Sequence, residues 1–151
     1  MKKILLILTA CICTMANFGQ TRSFNPGKTQ AEKLNDQYCT GLFKTDEGAI
    51  FDFVSDNTSA NGYFNILDWL EGRVAGLQVV VLRNGVRIPV IRGSQAGIFV
   101  DEMQVSADFL NSLFMNDIAM IKVIKTPFLG GFNGAGGAIA IYTLVGGDDE
   151  E

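Results

Sequence analysis

The 151 residues include no histidine, set 12 Lys and Arg against 16 Asp and Glu, and are 48% hydrophobic and 19% charged. One domain of ordinary size is expected. His-based triads and His metal ligation are excluded, and a net charge of −4 speaks against a nucleic-acid partner.

In chain order, Met1-Lys2-Lys3 is a short basic head, and residues 4–15 (ILLILTACICTM) are a mostly apolar run. This is the layout of a secretory signal peptide over residues 1–19, too short for a membrane span. Cleavage fits after Ala16, which with Thr14 supplies small residues, or after Gly19. Leu8-Thr9-Ala10-Cys11 also has the form of a bacterial lipobox, which would make Cys11 a lipidated start. Without residues 1–19 the chain has 132 residues, ten bases against sixteen acids (net −6) and one cysteine, Cys39. A lone cysteine excludes an intramolecular disulfide and a Cys-based zinc site. With no His to activate it, Cys39 is expected to be a buried, inert thiol.

Residues 20–47 form a polar segment with a turn signal at Asn25-Pro26-Gly27. One or two helical turns over 31–38 and otherwise loose order are expected. Residues 48–54 read as a strand and 55–62 as a loop. Residues 64–71 read as a short helix with Asn65 as N-cap, Asp68 in the first turn and Gly72 as the stop. Its apolar side carries Ile66, Leu67, Trp69 and Leu70. Strands at 76–82 and 86–91 flank Asn84-Gly85, the signal for a primed hairpin turn. Pro89 gives the second of them an edge on one side.

Residues 98–101 are a strand, which 103–105 extend. Residues 106–115 read as a helix, with Ser106 as N-cap and Phe109, Leu110, Leu113 and Phe114 facing inward. Strands at 118–124 and 138–143 flank the Gly-rich loop 129–137, and residues 146–151 are an acidic tail. No later apolar run is long enough for a transmembrane helix, and there is no internal repeat. Interleaved strands and short helices predict an α+β fold with a small mixed β-sheet, its body spanning residues 48–145.

The Gly-rich GGFNGAGG has neither the Lys-Ser/Thr of a P-loop nor a strand–loop–helix context. Its glycines serve tight turns and close backbone approach. Asp52 with Asp56, or Asp101 with Glu102, could form carboxylate pairs, but no nucleophile or activated base accompanies them. No catalytic residue, cofactor or metal ligand is assigned, and neither enzymatic activity nor a small-molecule substrate is expected. Residues 65–145 hold six acids and six bases, so the body is neutral and the net charge lies outside it.

Five stretches in order over residues 66–143 carry a family resemblance. ILDWLEGRVAGLQV (66–79) looks like an "LxGRVxGLxV" opening, and Val90-Ile91-Arg92-Gly93 like "IRG". Ile98-Phe99-Val100-Asp101 looks like "(L)(Y/F)VxDG", with Glu102 in place of its Gly. NDIAMIKVIK (116–125) looks like "PxDIExIEVLKG", and GFNGAGGAI (131–139) like "YGxxGxxGVI". Together they resemble the plug domain of TonB-dependent outer-membrane receptors, above all the nutrient receptors of Bacteroidetes. Such receptors continue into a 22-stranded barrel, which at about 10 residues per strand needs more than 200 residues. Eight residues follow Thr143, and residues 20–47 show no TonB box.

The resemblance therefore implies a free-standing plug. It would close a large outer-membrane β-barrel from the periplasmic side, like the plug subunit of the Bacteroidetes type IX secretion translocon. The alternatives are a periplasmic ligand-binding module and a residual receptor fragment. Arg73 and Arg92 match plug arginines that pair with barrel-wall acids in the family; pairing inside the plug, to Glu71 or Asp101, is the other reading. Arg83 with Arg87 at the hairpin, Lys125, and Phe128 and Phe132 in the Gly-rich loop complete the candidate barrel contacts. Phe128 and Phe132 read equally as cover for the plug's own core.

Overall fold

The computed structural model describes residues 27–55, 59–60 and 62–144. The expected signal peptide with Cys11, Asp56 and the acidic tail lie outside the described residues.

Two near-continuous apolar runs form the centre of the fold: β7 (Ile118–Ile124) and β8 (Ala138–Thr143). Strands of this composition are stable where both faces are covered, and every residue of β7 is buried. Around them a five-stranded sheet runs in the order β1-β7-β8-β5-β6, with β1 at Ala49–Asp52, β5 at Gly97–Val100 and β6 at Met103–Gln104. It is mixed: β5 lies parallel to β8, and the other pairs are antiparallel. A second sheet, β2-β3-β4, comprises Leu77–Val81, Arg87–Ile91 and Ser94–Gln95.

One face of the large sheet presents Ile98, Val100, Ile121, Val123, Ile139 and Ile141 to helix α2 (Ile66–Leu70) and the small sheet. The cap of α2 is the expected one. Asn65 Oδ1 accepts from Leu67 N (2.9 Å), while its Nδ2 donates to Asn111 Oδ1 (2.9 Å), so one buried amide fixes the helix start and ties it to a distant loop. Trp69 lies inward as expected, edge-on to Phe51 and Phe53.

The other face is covered by the N-terminal segment, which corrects the expectation of loose order there. Helix α1 (Gln30–Tyr38) is closed by a complete capping box, Thr29 Oγ1 accepting from Glu32 N and the Glu32 carboxylate from Thr29 N. Leu34, Cys39 and Phe43 pack on Phe99, Met120, Ile124, Ala140 and Tyr142. Asp36 pairs with both Lys28 and Lys44, joining the two ends of the segment. Cys39 is buried as expected.

Three other expectations change. Asn84-Gly85 is not a primed turn. Only Gly85 has positive φ (+84°), and Leu82 accepts from Gly85 N (2.9 Å) and donates to Val86 O (2.8 Å). This is a type I turn followed by a left-handed glycine, whose twist also suits a hairpin. Residues 103–105 do not extend β5. Asp101 (φ +48°) and Glu102 (φ +66°) turn the chain back, pairing Val100 with Met103. Residues 107–111 are 3₁₀-helical, Ser106 makes no side-chain cap, and Phe109 and Phe114 are exposed while Leu110 is buried. The run of Asp, Asn and Ser here competes for the backbone and disfavours a longer helix.

Pro89 lies in the middle strand of the small sheet, which corrects the edge reading, and its carbonyl accepts from Ala96 N (3.0 Å) just past β4. Opposite Val79, its missing N–H turns away from β2, and on that side β4 pairs only with Val90 and Ile91.

Sequence reading missed Lys122, which is fully buried in β7. Its ammonium donates to Asn35 Oδ1, Phe43 O (2.8 Å) and Thr45 O, all from the N-terminal segment, and to no carboxylate among the described residues. Its position in an unbroken apolar strand was the available signal.

Lys122→Met leaves these three acceptors without a donor, so stability in urea is expected to fall by about 2–3 kcal/mol even though a charge is removed. Burial holds the Lys122 proton less tightly than in the unfolded chain, so its penalty shrinks as pH rises toward 10.5. Burial raises Tyr142 and Cys39 instead, so the stability they carry is intact below their unfolded values of 10.0 and 9.0 and is lost above them. Above about pH 10 the urea midpoint of Tyr142→Phe should therefore fall less steeply than that of the native chain.

Candidate functional site

Residues near one end of the large sheet form a composite surface. The Gly-rich loop is held rigidly there by backbone contact. A Cβ on Gly134 would stand 1.7 Å from Phe128 O, and one on Gly137 (φ +100°) 2.0 Å from Ile124 O. No other residue fits either place. Gln104 clamps the loop from β6: its Oε1 accepts from Phe132 N (2.9 Å) and its Nε2 donates to Phe132 O (2.6 Å).

On this fixed backbone Leu129 is 93% exposed and Phe132 83% exposed. Lys125 leaves β7 beside Gly137. The Arg92-Gly93 turn enters β4, whose Ser94 O lies 2.2 Å from where a Gly136 Cβ would stand. Lys125 thus leaves β7 beside the loop that carries Phe132, whereas the Arg92 side chain runs toward Gly76. Arg92 has φ +53°, a left-handed conformation costing a non-glycine residue about 1 kcal/mol. It makes no ion pair among the described residues.

The other sequence candidates fall elsewhere. Phe128 is buried and closes a three-ring cluster with Phe43 (4.7 Å between centroids) and Phe99 (5.3 Å). Arg87 is engaged internally, its Nε donating to Asp68 Oδ1 (2.8 Å). Arg83 lies exposed at the hairpin tip. Arg73 forms no ion pair to Glu71 or Asp101. It stacks over Trp69 (4.5 Å) and Tyr63 (5.6 Å) and donates to Trp69 O (2.8 Å). Glu71 instead accepts from Val79 N (2.9 Å), and Asp101 from Thr143 N and Oγ1.

Two features were not expected. Glu102, in a left-handed conformation (φ +66°), grips Thr40 N and Oγ1 and lies 3.2 Å from the Tyr142 hydroxyl. Charge-assisted bonds of about 1.5–3 kcal/mol offset the local strain. Second, Tyr63, Phe64, Leu113, Phe114 and Met115 line a groove of about 390 Å³ with Asn111 and Asn116. Phe64 is 96% exposed. A helical reading of 106–115 hid this groove by turning Phe114 inward.

Comparison with known proteins fits this geometry. No family model and no curated protein matches the chain. Among solved structures it is similar to the RagAB peptide importer in the "closed-closed" state, with 26% identity, TM-score 0.54, and 71% of this chain and 13% of that chain covered. Similarity to the "open-open" state is alike, at 27% identity and TM-score 0.54 over 65% and 12%. The ferric enterobactin receptor PfeA from Pseudomonas aeruginosa, as an R480A/Q482A mutant, is similar in fold at 20% identity and TM-score 0.53, over 78% of this chain and 19% of that chain. The chain thus spans between about an eighth and a fifth of these proteins. The α+β fold is that of the plug-like domains of TonB-dependent receptors, and these neighbours are receptors and importers.

Burial separates the two loop phenylalanines. Phe128→Ser should cost about 3–5 kcal/mol by opening the ring cluster, and Phe132→Ser less than about 0.5 kcal/mol. Thermal or urea unfolding of the two variants measures the difference.

Proposed function

We propose that the protein is a non-enzymatic plug subunit, seated in the lumen of a large outer-membrane β-barrel and facing the periplasm, and that the barrel is the pore of a type IX protein secretion translocon. The observation that carries the reading is the Gly-rich end of the body. A backbone immobilised by glycines and Gln104 presents two large apolar side chains, Leu129 and Phe132, to the outside. Rigid display of apolar side chains is how a protein interface concentrates its binding energy. Within a monomer the same features are a cost without a return.

Size and charge suit this reading. A body of this length has a radius of gyration of about 13–14 Å, a width matched to a very large barrel. The balance of six acids and six bases over residues 65–145 lets it enter a lumen without a strong field. Arg92 and Lys125 would meet carboxylates on the barrel wall, with Leu129 and Phe132 against its apolar patches.

Affinity purification from detergent-solubilised native envelope tests the proposal. A very large barrel protein, identified as a secretion translocon pore, should co-purify. Combined Arg92→Glu and Phe132→Asp should reduce its recovery at least about tenfold, the loss of a hot-spot pair, while the melting temperature of the purified variant stays close to that of the native chain. Recovery of the native chain only as a free soluble monomer, with no barrel under any extraction condition, would sink the reading.

A further inference from the structure

Residues 27–46 are attached to the rest of the fold in an unusual way. Their backbone-to-backbone hydrogen bonds all close within the segment, and none joins it to either sheet among the described residues. The capping box completes α1 from inside, and Asp36 bridges Lys28 and Lys44 across the segment's two ends. Every hydrogen bond that fastens it to the body uses a side chain. Lys122 reaches Asn35, Phe43 and Thr45, Glu102 holds Thr40, and Gln30 Nε2 donates to Asp52 (3.1 Å). Lys122 adds little holding power, because opening the segment returns its ammonium to water. The core divides along the same line. The apolar cluster on the α2 face contains no residue of the segment, whereas the cluster on the other face draws Leu34, Cys39 and Phe43 from it. Departure of the segment thus leaves the α2-side core whole, which is the condition for a sub-global opening.

We propose that residues 27–46 form a strap that opens as a unit while the body stays folded, and that its docked state sets the rigidity of the Gly-rich loop. Phe43 is the link. Its ring centroid lies 5.1 Å from that of Phe99 and 4.7 Å from that of Phe128. Phe128 anchors the loop: its N–H donates to Gly134 O (2.8 Å), and Gly134 passes so close that a Cβ there would strike Phe128 O. Opening the strap removes one of three packed rings and uncovers Phe128. Leu129 and Phe132 then stand on a loosened backbone, whereas the docked strap holds them ready for contact. Preorganised side chains bind with less ordering cost, so the strap modulates whatever contact this end makes. The inference rests on contacts within the chain and does not depend on the pore-sealing reading.

Cys39 is buried beneath the strap, so its thiol reports opening. Alkylation of the full chain by iodoacetamide is followed in urea below the unfolding transition, with peptide mass spectrometry separating Cys39 from Cys11 and Cys13. The opening free energy should fall with urea at less than about half the slope of global unfolding, because only the strap and the face beneath it become exposed. Hydrogen exchange of the Phe128 amide should follow the same shallow slope, and that of the Leu67 amide, on the α2 side, the steep global one. Asn35→Ala removes one acceptor of Lys122 without touching the rings. It should speed Cys39 alkylation and Phe128 exchange together, each at least about tenfold. If that variant does not fold, the slopes of the native chain decide both points. Cys39 alkylation with the slope and free energy of global unfolding overturns the strap. A Phe128 amide that keeps the global slope, or that Asn35→Ala leaves unchanged while Cys39 alkylation quickens, overturns the link to the loop.

Discussion

The architecture depends on how the second face of the central sheet is covered. Lys122 projects from the middle of β7 into that face, and among the described residues the N-terminal segment supplies its acceptors. Stripping an ammonium of water costs several kcal/mol even after relaxation. Three hydrogen bonds to a charged donor return a similar amount, about 1.5–3 kcal/mol each. The net contribution is therefore small, but the geometry is demanding. Any packing of residues 28–46 that misses Asn35 Oδ1, Phe43 O or Thr45 O leaves a buried charge exposed to apolar side chains. Lys122 thus selects one arrangement of the segment more than it stabilises the fold. In the resembling pattern this position is Glu, which could not use the same acceptors.

Glu102 works with Lys122 from the other side of the segment. Its carboxylate takes Thr40 just after α1, at the cost of a left-handed backbone. The two contacts pin the segment at both margins, and Asp36 joins its ends through Lys28 and Lys44. With this cover in place, Cys39 is shut inside beside Tyr142, and burial raises both of their titrations. The thiol is inert for a packing reason, which agrees with its reading as a lone cysteine without a base.

A rigid body with two dissimilar regions results. The Gly-rich end carries Leu129 and Phe132 on a backbone that glycines and Gln104 hold still, with Lys125 beside it. At the opposite end lie Asp101, Glu102 and Asp117, each close to the end of β8. On the α2 face Arg73 stacks over Trp69 and makes no ion pair among the described residues. Apolar display at the Gly-rich end is the departure from a self-contained monomer.

Much of this was legible in the sequence, for identifiable reasons. Asn65 before an apolar turn dictates an N-cap, the glycines of 130–137 dictate close backbone approach, and the runs 118–124 and 138–143 dictate central strands. These are local effects, decided within a few residues by sterics and hydrogen bonding. Pattern resemblance also gave the plug-like fold. Tertiary structure alone decided the rest. It made residues 30–38 a packed helix, because a polar sequence orders when it covers an apolar sheet face and answers a buried ammonium. It turned Phe109 and Phe114 outward, because Leu110 and Met115 fill the available core. It sorted Phe128 from Phe132, four residues apart in one loop, because only one of them reaches Phe43 and Phe99. Burial of a charge or exposure of a ring depends on which distant surface arrives opposite, and spacing along the chain does not carry that information.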